Sequence, residues 1–365
     1  MIVWIIAGLL GMAAGLRIGW ALVNQQSVVS TAMIVALGSL AAVAALNWPP
    51  LALLVNTGLG WPNISVGLSQ TALVASAAGS CVMITSVASA ARQEVTRRVA
   101  TVQYCVAAVI AAVTLALFLG DGREAEMSPK EYLAHNLGLP GEALEWLIPL
   151  LYVLLALTVV IWVGMRLSSA SRRGRALLVF TAGIVLIVAA SGFFLSRAVG
   201  APQQAGVSTA VTLLLCAMAV VAAGSLLPAV EDWIGARREL RLVEPLRREM
   251  DRRHPGIGIG VRPRGPLVFR VAERLSLISD ALYLESLQAQ EHGPAPDPPV
   301  GVSVAEQAST VARWIRAGSP AGAGMRGSAA FPGRRWLSQP PGCSDRDWIL
   351  EIARQYRSLD PAAGR

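Results

Sequence analysis

The residues that could carry chemistry in the first 230 positions are few and uncharged. Four polar side chains inside apolar stretches could line a path for a small solute: Gln70, Ser76, Ser80 and Gln103. Their amide and hydroxyl groups can donate and accept hydrogen bonds with an uncharged molecule. The same groups could instead bond to neighbouring helices or to carbonyls of their own helix. We favour this packing role and keep the solute path as the alternative.

Ionisable side chains are almost missing from the same apolar stretches. No Asp or Glu precedes Glu94, and none lies between Glu145 and Glu231. The stretches also contain no Lys or His, and Arg17 lies near the end of the first one. Ion-coupled pumps and carriers commonly use a buried carboxylate or histidine as a proton relay. The sequence therefore argues against an ion-coupled mechanism.

Cysteine and histidine spacing indicates no metal centre, disulfide framework or catalytic constellation. Cys81, Cys105 and Cys216 fall inside apolar stretches, and Cys343 stands alone near the C-terminus. There is no C-x-x-C motif and no Cys/His cluster of the kind that binds zinc. The three histidines are far apart, and none has a nucleophile or carboxylate at motif spacing. We therefore expect no metal and no cofactor, and an intramembrane enzyme is the third and least supported functional hypothesis.

The elements that must position the polar residues are membrane-spanning helices. A helix needs about 20 mostly apolar residues to cross the hydrocarbon core. Seven stretches meet this requirement: 2–23, 28–46, 66–91, 99–119, 146–165, 176–195 and 206–227. Only 15% of the residues are charged, whereas soluble domains contain about 25%. The predicted fold is all-α, with a seven-helix transmembrane bundle over residues 1–230.

One apolar segment is too short to cross a membrane. Residues 51–55 follow Pro49 and Pro50, and Trp48 and Trp61 flank the segment. Proline removes backbone donors, and tryptophan is enriched at the membrane–water interface. The sequence therefore predicts an interfacial turn at this position.

Arginine-rich loops predict the orientation of the bundle. Two loops carry most of the positive charge, with Arg92, Arg97 and Arg98 in the first and Arg166, Arg172, Arg173 and Arg175 in the second. The loop over residues 120–145 is acidic, with only Arg123 and Lys130 as bases. Cytoplasmic loops carry an excess of Lys and Arg. We therefore expect the N-terminus outside, the C-terminus inside, and the plasma membrane as the location.

The first apolar stretch could also be a cleaved signal peptide. A signal peptide has a positive segment ahead of its apolar run, and residues 1–4 supply no side-chain charge. We therefore expect a retained helix. Gly11, Gly15 and Gly19 recur in it at every fourth position, a spacing that lets another helix approach closely. Packing within the bundle is the predicted role of this stripe, and a homodimer face is the alternative.

A basic amphipathic helix is predicted directly after the last span. Seven arginines surround its apolar residues: Arg237, Arg238, Arg241, Arg247, Arg248, Arg252 and Arg253. Arginine near an anionic leaflet contributes about 1 kcal/mol, so these residues could contact the inner leaflet or a cytoplasmic protein. A solvated charged face is the alternative. Nucleic acid is not an expected partner, because no recognition motif is present.

The remaining tail is predicted to be a small helical cytoplasmic domain. His254 and Pro255 end the basic helix, and helical periodicity returns around Leu275, Val311 and Ile352. Ser344, with Asp347 three residues later, predicts the start of the last helix. Residues 231–292 are predicted to be juxtamembrane and long cytoplasmic helices. Residues 293–365 are predicted to be a linker-rich helical region, with linkers at 293–301 and 318–342.

The order of these features resembles a family of actinobacterial seven-span membrane proteins described as transporters, which share a cytoplasmic C-terminal domain of unknown function. The resemblance rests on the Gly-Trp-Pro-Asn turn, the two arginine loops and four tail segments, which are residues 238–246, 269–280, 311–314 and 348–354. This chain has Arg247 where the family has tryptophan. The resemblance implies a transporter, but it supplies no transport residues.

Two functions from different classes are expected. The first is a transporter of a small, uncharged or apolar solute, or a regulator of its flux. The alternative is a membrane-anchored signalling or scaffold protein that docks a cytoplasmic partner through its arginine-rich tail. A carrier needs a binding site near the bilayer midplane, whereas a scaffold can be packed solid. A cavity near Gln70, Ser76 and Gln103 would therefore favour transport.

Overall fold

The computed structural model describes residues 2–23, 27–88, 93–120, 124–137, 143–169, 171–200, 207–257, 267–290, 301–318 and 332–359. Within these residues the chain forms thirteen helices. They are α1 (Ile2–Val23), α2 (Val28–Leu46), α3 (Pro49–Leu59), α4 (Ile64–Ala88), α5 (Gln93–Gly120), α6 (Pro129–Asn136), α7 (Ala143–Leu167), α8 (Arg172–Ala198), α9 (Val207–Arg253), α10 (Leu267–Gln290), α11 (Val304–Ala317), α12 (Arg334–Leu337) and α13 (Asp345–Ser358). The predicted all-α fold is confirmed.

The chain divides into two compact units. We call Met1–Pro228 the membrane unit and Ala229–Arg365 the C-terminal unit. Helix α9 contributes its first half to the membrane unit and its second half to the C-terminal unit.

Six helices of the described chain are long and apolar enough to cross a membrane: α2, α4, α5, α7, α8 and α9. Helix α1, the first predicted span, is apolar over Val3–Gly19. Large apolar side chains such as Val102, Val109 and Leu155 are exposed on this unit. An exposed apolar surface of this extent is unfavourable in water and suited to lipid. The chain is a multi-pass membrane protein with an all-α bundle.

The turn predicted at residues 51–55 is wrong, because this segment is part of helix α3. Its position at the membrane interface stays a prediction. Pro49 and Pro50 occupy the first helical positions, where a backbone N–H needs no helical partner and the fixed φ of proline suits a helix. The helix ends at Gly60, which has a φ of 64°. That left-handed conformation is readily accessible to glycine.

Close helix contacts in the membrane unit depend on glycines that the sequence analysis did not single out. A Cβ atom on Gly79 of α4 would lie 2.7 Å from the backbone nitrogen of Ala36 in α2. A Cβ atom on Gly224 of α9 would lie 2.5 Å from the backbone nitrogen of Phe180 in α8. The absence of a side chain at these two positions lets each pair of backbones approach.

The glycine stripe of α1 does not pack within the bundle as predicted. Gly11, Gly15 and Gly19 are exposed, and an added Cβ would meet nothing within 4 Å. Helix α1 instead buries the opposite face, which includes Ile6 and Leu10. Larger side chains remove more apolar area on burial than glycine does, so that face packs inward. The homodimer alternative for the stripe stays a prediction.

The C-terminal unit has its own hydrophobic core. The second half of α9 and helices α10, α11 and α13 contribute the predicted apolar faces, including Leu246, Ile278, Val311 and Ile352. Trp348 is 2% exposed, and its indole N–H donates to the carbonyl of Leu337 at 3.3 Å. The hydroxyl of Ser344 accepts the backbone N–H of Asp347 at 3.1 Å, which confirms the predicted start of the last helix.

Two details of the predicted tail differ in the structure. Val268, which the helical periodicity places on the apolar face with Leu275, is exposed, whereas its neighbour Leu267 packs against the core. Residues 334–337 form helix α12 inside the segment predicted to be a linker, and Leu337 joins the core. The predicted linker residues 293–300 and 319–331 lie outside the described residues.

Candidate functional site

A cavity of about 270 Å³ lies in the membrane unit. Its lining residues lie near the end of α2 and near the starts of α4, α7 and α9. They include Asn47, Gln70, Trp146 and Leu214. These termini meet at one end of the bundle, which we call the cavity end. In the predicted orientation the cavity end faces outward.

The cavity reaches well into the bundle. Gln70 lies six residues into α4, which corresponds to about 9 Å along the helix axis. Met218 lies eleven residues into α9, or about 16 Å along the axis. The hydrocarbon core of a bilayer is about 30 Å thick. The cavity lining thus extends about 16 Å along the helix axis from the start of α9, a distance of about half the thickness of that core.

The side-chain amide of Gln70 is the main polar feature of the cavity wall. Its Nε2 and Oε1 atoms are both buried and have no hydrogen-bond partner in the described structure. A buried polar group left without a partner costs about 1–3 kcal/mol. Both atoms belong to a side chain that lines the cavity, which makes Gln70 the candidate residue for hydrogen bonding to a bound molecule.

The neighbouring polar groups are used within the protein. The Asn47 side chain donates to the carbonyl of Val43 at 2.8 Å and to the hydroxyl of Ser69 at 2.9 Å. This pair of bonds ties the end of α2 to α4 beside Gln70. Asn47 and Ser69 therefore help to hold the wall in place, and Gln70 keeps its hydrogen-bonding capacity.

Trp146 supplies a second unpaired group at the cavity wall. Its side chain is 4% exposed, and the indole N–H is buried without a hydrogen-bond partner among the described residues. Pro149, on the next turn of α7, also lines the cavity. Proline inside a helix removes one backbone hydrogen bond. Helix α7 therefore lacks one backbone hydrogen bond where it borders the cavity, although it continues without a break.

Lys130 is the one ionisable residue among those lining the cavity, and it is the only lysine in the chain. It lies exposed on α6, directly after the helix start. Ser128 and Glu131 form a capping box at that start. The hydrogen bonds from Ser128 lower the pKa of the Glu131 carboxyl below its ordinary value. Lys130 is therefore held on a short, well-capped helix at the cavity end.

The segment before α6 is anchored by Asn63, which the sequence analysis did not single out. Its side chain donates to the carbonyl of Ala125 and accepts the backbone N–H of Met127, both at 2.9 Å. Asn63 has a φ of 59°, a conformation that asparagine tolerates better than most residues. It belongs to the Gly-Trp-Pro-Asn turn, so the turn motif was the available signal.

Three of the four predicted solute-path residues lie away from the cavity. The hydroxyl of Ser76 donates to the carbonyl of Ala36 at 3.0 Å, and Ser80 is buried beside the same helix contact. The Gln103 amide donates to the Tyr152 hydroxyl at 3.0 Å. Ser76 and Gln103 thus have the packing role that the sequence analysis favoured. Of the four, only Gln70 lines the cavity.

The seven arginines of the predicted contact surface fall into two groups. Four are in ion pairs with carboxylates of the C-terminal unit: Arg247 with Glu244 and Asp251, Arg248 with Glu244, Arg252 with Glu249, and Arg253 with Glu249 and Glu285. These four link helices of the unit or support α9 internally. The contact role of the seven arginines stays a prediction, and Arg237, Arg238 and Arg241 are the members outside these ion pairs.

Those three arginines are exposed and lie on one face of α9. The Arg237 guanidinium lies 5.1 Å from the ring centre of Trp233. Arg238 and Arg241 have no ion pair within the described part of the chain. Val230, Trp233 and Ile234 are exposed apolar residues on the preceding turns. This face thus passes from apolar residues, with Trp233 among them, to basic residues along the helix.

In the described ranges, no group of three or more His, Cys, Asp or Glu side chains is arranged to hold a metal ion. Comparison with known proteins gives no match to a family model, a curated protein or a solved structure. The resemblance to the actinobacterial transporters therefore stays a prediction.

Proposed function

We propose that the protein is a plasma-membrane transporter of a small, uncharged solute. The observation that carries this proposal is the cavity at one end of the bundle, with the unpaired Gln70 amide on its wall. Transporters commonly bind their substrate near the midplane and open to one side at a time. A cavity that penetrates about half the membrane from one end is the geometry of a carrier in one access state.

The lining favours a solute without charge. Most of the lining residues are apolar, no carboxylate lines the cavity, and the ammonium of Lys130 is exposed. A charged group in such a lining would lose its hydration without a counter-ion. An uncharged group can recover its hydrogen bonds from Gln70 and Trp146. The proposed substrate is therefore apolar over most of its surface with one polar end.

Flux through proteoliposomes tests the proposal. Vesicles with and without the full-length protein are mixed rapidly with a concentrated solution of acetamide, urea, butyramide or glycerol. The reswelling of the vesicles as the solute enters is followed by stopped-flow light scattering. We expect faster reswelling with the protein for at least one solute, and slower reswelling for Gln70→Leu. Gln103→Leu is the matched control, because Gln103 lies outside the cavity, and it should keep wild-type flux. Equal rates with and without protein across the series would refute transport of these solutes.

A scaffold function is the second candidate, and helix α10 supplies the observation that favours it. Phe269 is 67% exposed and Tyr283 is 57% exposed on one face of this helix. Exposed apolar faces of soluble helices are suited to a protein partner. A photo-reactive side chain at position 269 should cross-link a cytoplasmic protein with a complementary apolar surface. The same group at the exposed Arg357 should not.

Contact with an anionic leaflet completes the proposal. Arg238 and Arg241 follow the apolar residues Val230 and Ile234 on one helix face, and Trp233 lies within the apolar group. Tryptophan prefers the headgroup region, and arginine beside it attracts lipid phosphates. The proposed partner of this face is the inner leaflet of the bilayer.

A further inference from the structure

We infer that Gln70 selects solutes whose polar end carries a hydrogen-bond donor and an acceptor side by side, as in a primary amide, a urea or a lactam. This inference rests on the proposed solute-binding role of the cavity and specifies the substrate class. The observation behind it is that both polar atoms of the Gln70 side chain are buried and without a partner.

A carboxamide presents one carbonyl acceptor and an N–H donor that point in nearly the same direction. A solute with the same arrangement can accept from Nε2 and donate to Oε1, which satisfies both atoms in a paired contact. An alcohol can donate or accept through one oxygen and satisfies the pair less well. A carboxylate can only accept, so Oε1 would face a negative oxygen without a proton. The chemistry of Gln70 thus ranks amides above alcohols and alcohols above carboxylates.

The assignment of nitrogen and oxygen in a glutamine side chain is inferred from its surroundings. Exchange of the two atoms leaves this inference unchanged, because both positions are buried and without a partner. A donor and an acceptor are required in either orientation. Asn47 cannot supply them, since its amide N–H groups already bond to Val43 and Ser69.

The rest of the cavity sets the size and polarity of the solute. Leu73, Leu150, Val153, Phe194 and Met218 contribute an apolar lining. The cavity volume of about 270 Å³ corresponds to the bulk volume of about nine water molecules. This space suits a short aliphatic or cyclic group attached to the amide. Hexanamide is a suitable probe.

Footprinting of the single lysine measures binding. Lys130 lines the cavity and is exposed, so a bound solute should slow its reaction with an impermeant amine-specific reagent. The full-length protein in nanodiscs is titrated with hexanamide, 1-hexanol and hexanoate, and modification of the Lys130 peptide is followed by mass spectrometry. We expect hexanamide to protect at concentrations about tenfold lower than 1-hexanol, since a second hydrogen bond is made. Hexanoate should protect least.

Variants assign the preference to Gln70. Gln70→Leu should abolish the advantage of hexanamide over 1-hexanol, and Gln103→Leu should retain it. The melting temperature of Gln70→Leu without solute should equal or exceed that of the wild type, because two unpaired polar atoms are removed. This measurement separates a lost preference from a misfolded variant.

The outcomes distinguish this inference from the proposed function. Equal protection by hexanamide and 1-hexanol would overturn the amide preference, even if the proteoliposomes transport solute. Stronger protection by hexanoate would overturn it in favour of an anion held by Lys130. Preferential protection by hexanamide, without flux of the solutes tested in proteoliposomes, would support the binding class and refute transport of those solutes.

Discussion

Gly79 shows how a single residue can determine the distance between two helices in this bundle. A Cβ atom at this position would lie 2.7 Å from the Ala36 nitrogen and 2.9 Å from the Ala32 carbonyl oxygen. Gly79→Ala would therefore push α2 and α4 apart, and overpacking of this kind costs about 1–3 kcal/mol. We expect a lower melting temperature by circular dichroism in detergent.

Gly11→Ala is the matched control for that substitution. An added Cβ at Gly11 meets nothing within 4 Å, and alanine is favoured over glycine in a helix by about 0.5–1 kcal/mol. The control should keep or raise the melting temperature. Equal losses in the two variants would show that the close contact of α2 with α4 does not limit stability.

The polar residues and glycines of the bundle show what a sequence can and cannot predict about a single residue. The polar character of Ser76 and Gln103 was visible, but their roles depend on partners 40 or more positions away, which are Ala36 for Ser76 and Tyr152 for Gln103. Regular spacing singled out the glycines of α1, whereas Gly79 packs closely because of what α2 places opposite it. Pairwise approach of helices is a tertiary property, and a single helix sequence does not contain it.

At the scale of elements, the length and apolarity of the spans were sufficient to predict the bundle. Helices α1 and α2 have the predicted bounds, and α5, α7 and α8 extend beyond theirs at both ends. Helix α4 begins two residues before its predicted start, and α9 continues past its predicted end at Leu227. Charged residues within an extension weaken its apolar signal although the helix continues, as in Gln93 to Arg98 of α5. Helix α3 was missed because its prolines were interpreted as breakers, although they begin the helix.

The exposed face of α9 leads to a prediction about lipids. Arg238→Gln with Arg241→Gln should lower the preference of the protein for phosphatidylglycerol over phosphatidylcholine. The expected effect is about fivefold per arginine at the contact, weakening with salt. Electron paramagnetic resonance of spin-labelled lipids in reconstituted vesicles measures the preference.

The control for the lipid experiment removes the same charge elsewhere in the C-terminal unit. Arg313 and Arg357 are exposed and have no ion pair in the described chain. Replacing both with glutamine should leave the lipid preference unchanged. An equal decrease in both double variants would indicate an effect of net charge and would count against a defined contact on α9.

At the scale of the whole molecule, the C-terminal unit should be sensitive to acid. Hydrogen bonding from Arg247 is the main cause of a lowered pKa for Glu244, although burial opposes it. Burial acts to raise the pKa of Glu249, but hydrogen bonds from Arg252 and Arg253 outweigh it and the pKa is lowered. Both carboxylates contribute stability above the unfolded pKa of about 4.3.

That contribution is lost as the pH falls through the lowered pKa values of the folded state. Hydrogen-exchange protection of α11 and α13 in the full-length protein, corrected for intrinsic rates, should stay constant from pH 7 to about pH 5 and decrease below about pH 4.3. In Glu249→Gln the decrease should be smaller. A decrease of equal size in this variant would assign the acid sensitivity to other groups.

The single lysine makes the orientation of the whole molecule testable in cells. Lys130 is exposed on α6 at the cavity end, and the arginine loops predict that this end faces outward. An impermeant amine reagent on intact cells should therefore modify Lys130. Lys130→Arg with Arg175→Lys moves the only lysine to the exposed start of α8, at the opposite end of the bundle, and should be modified only after permeabilisation. The reverse pattern of modification would show that the topology is opposite to the predicted one. The cavity would then open to the cytoplasm, and the structure would represent the proposed carrier in its inward-facing state.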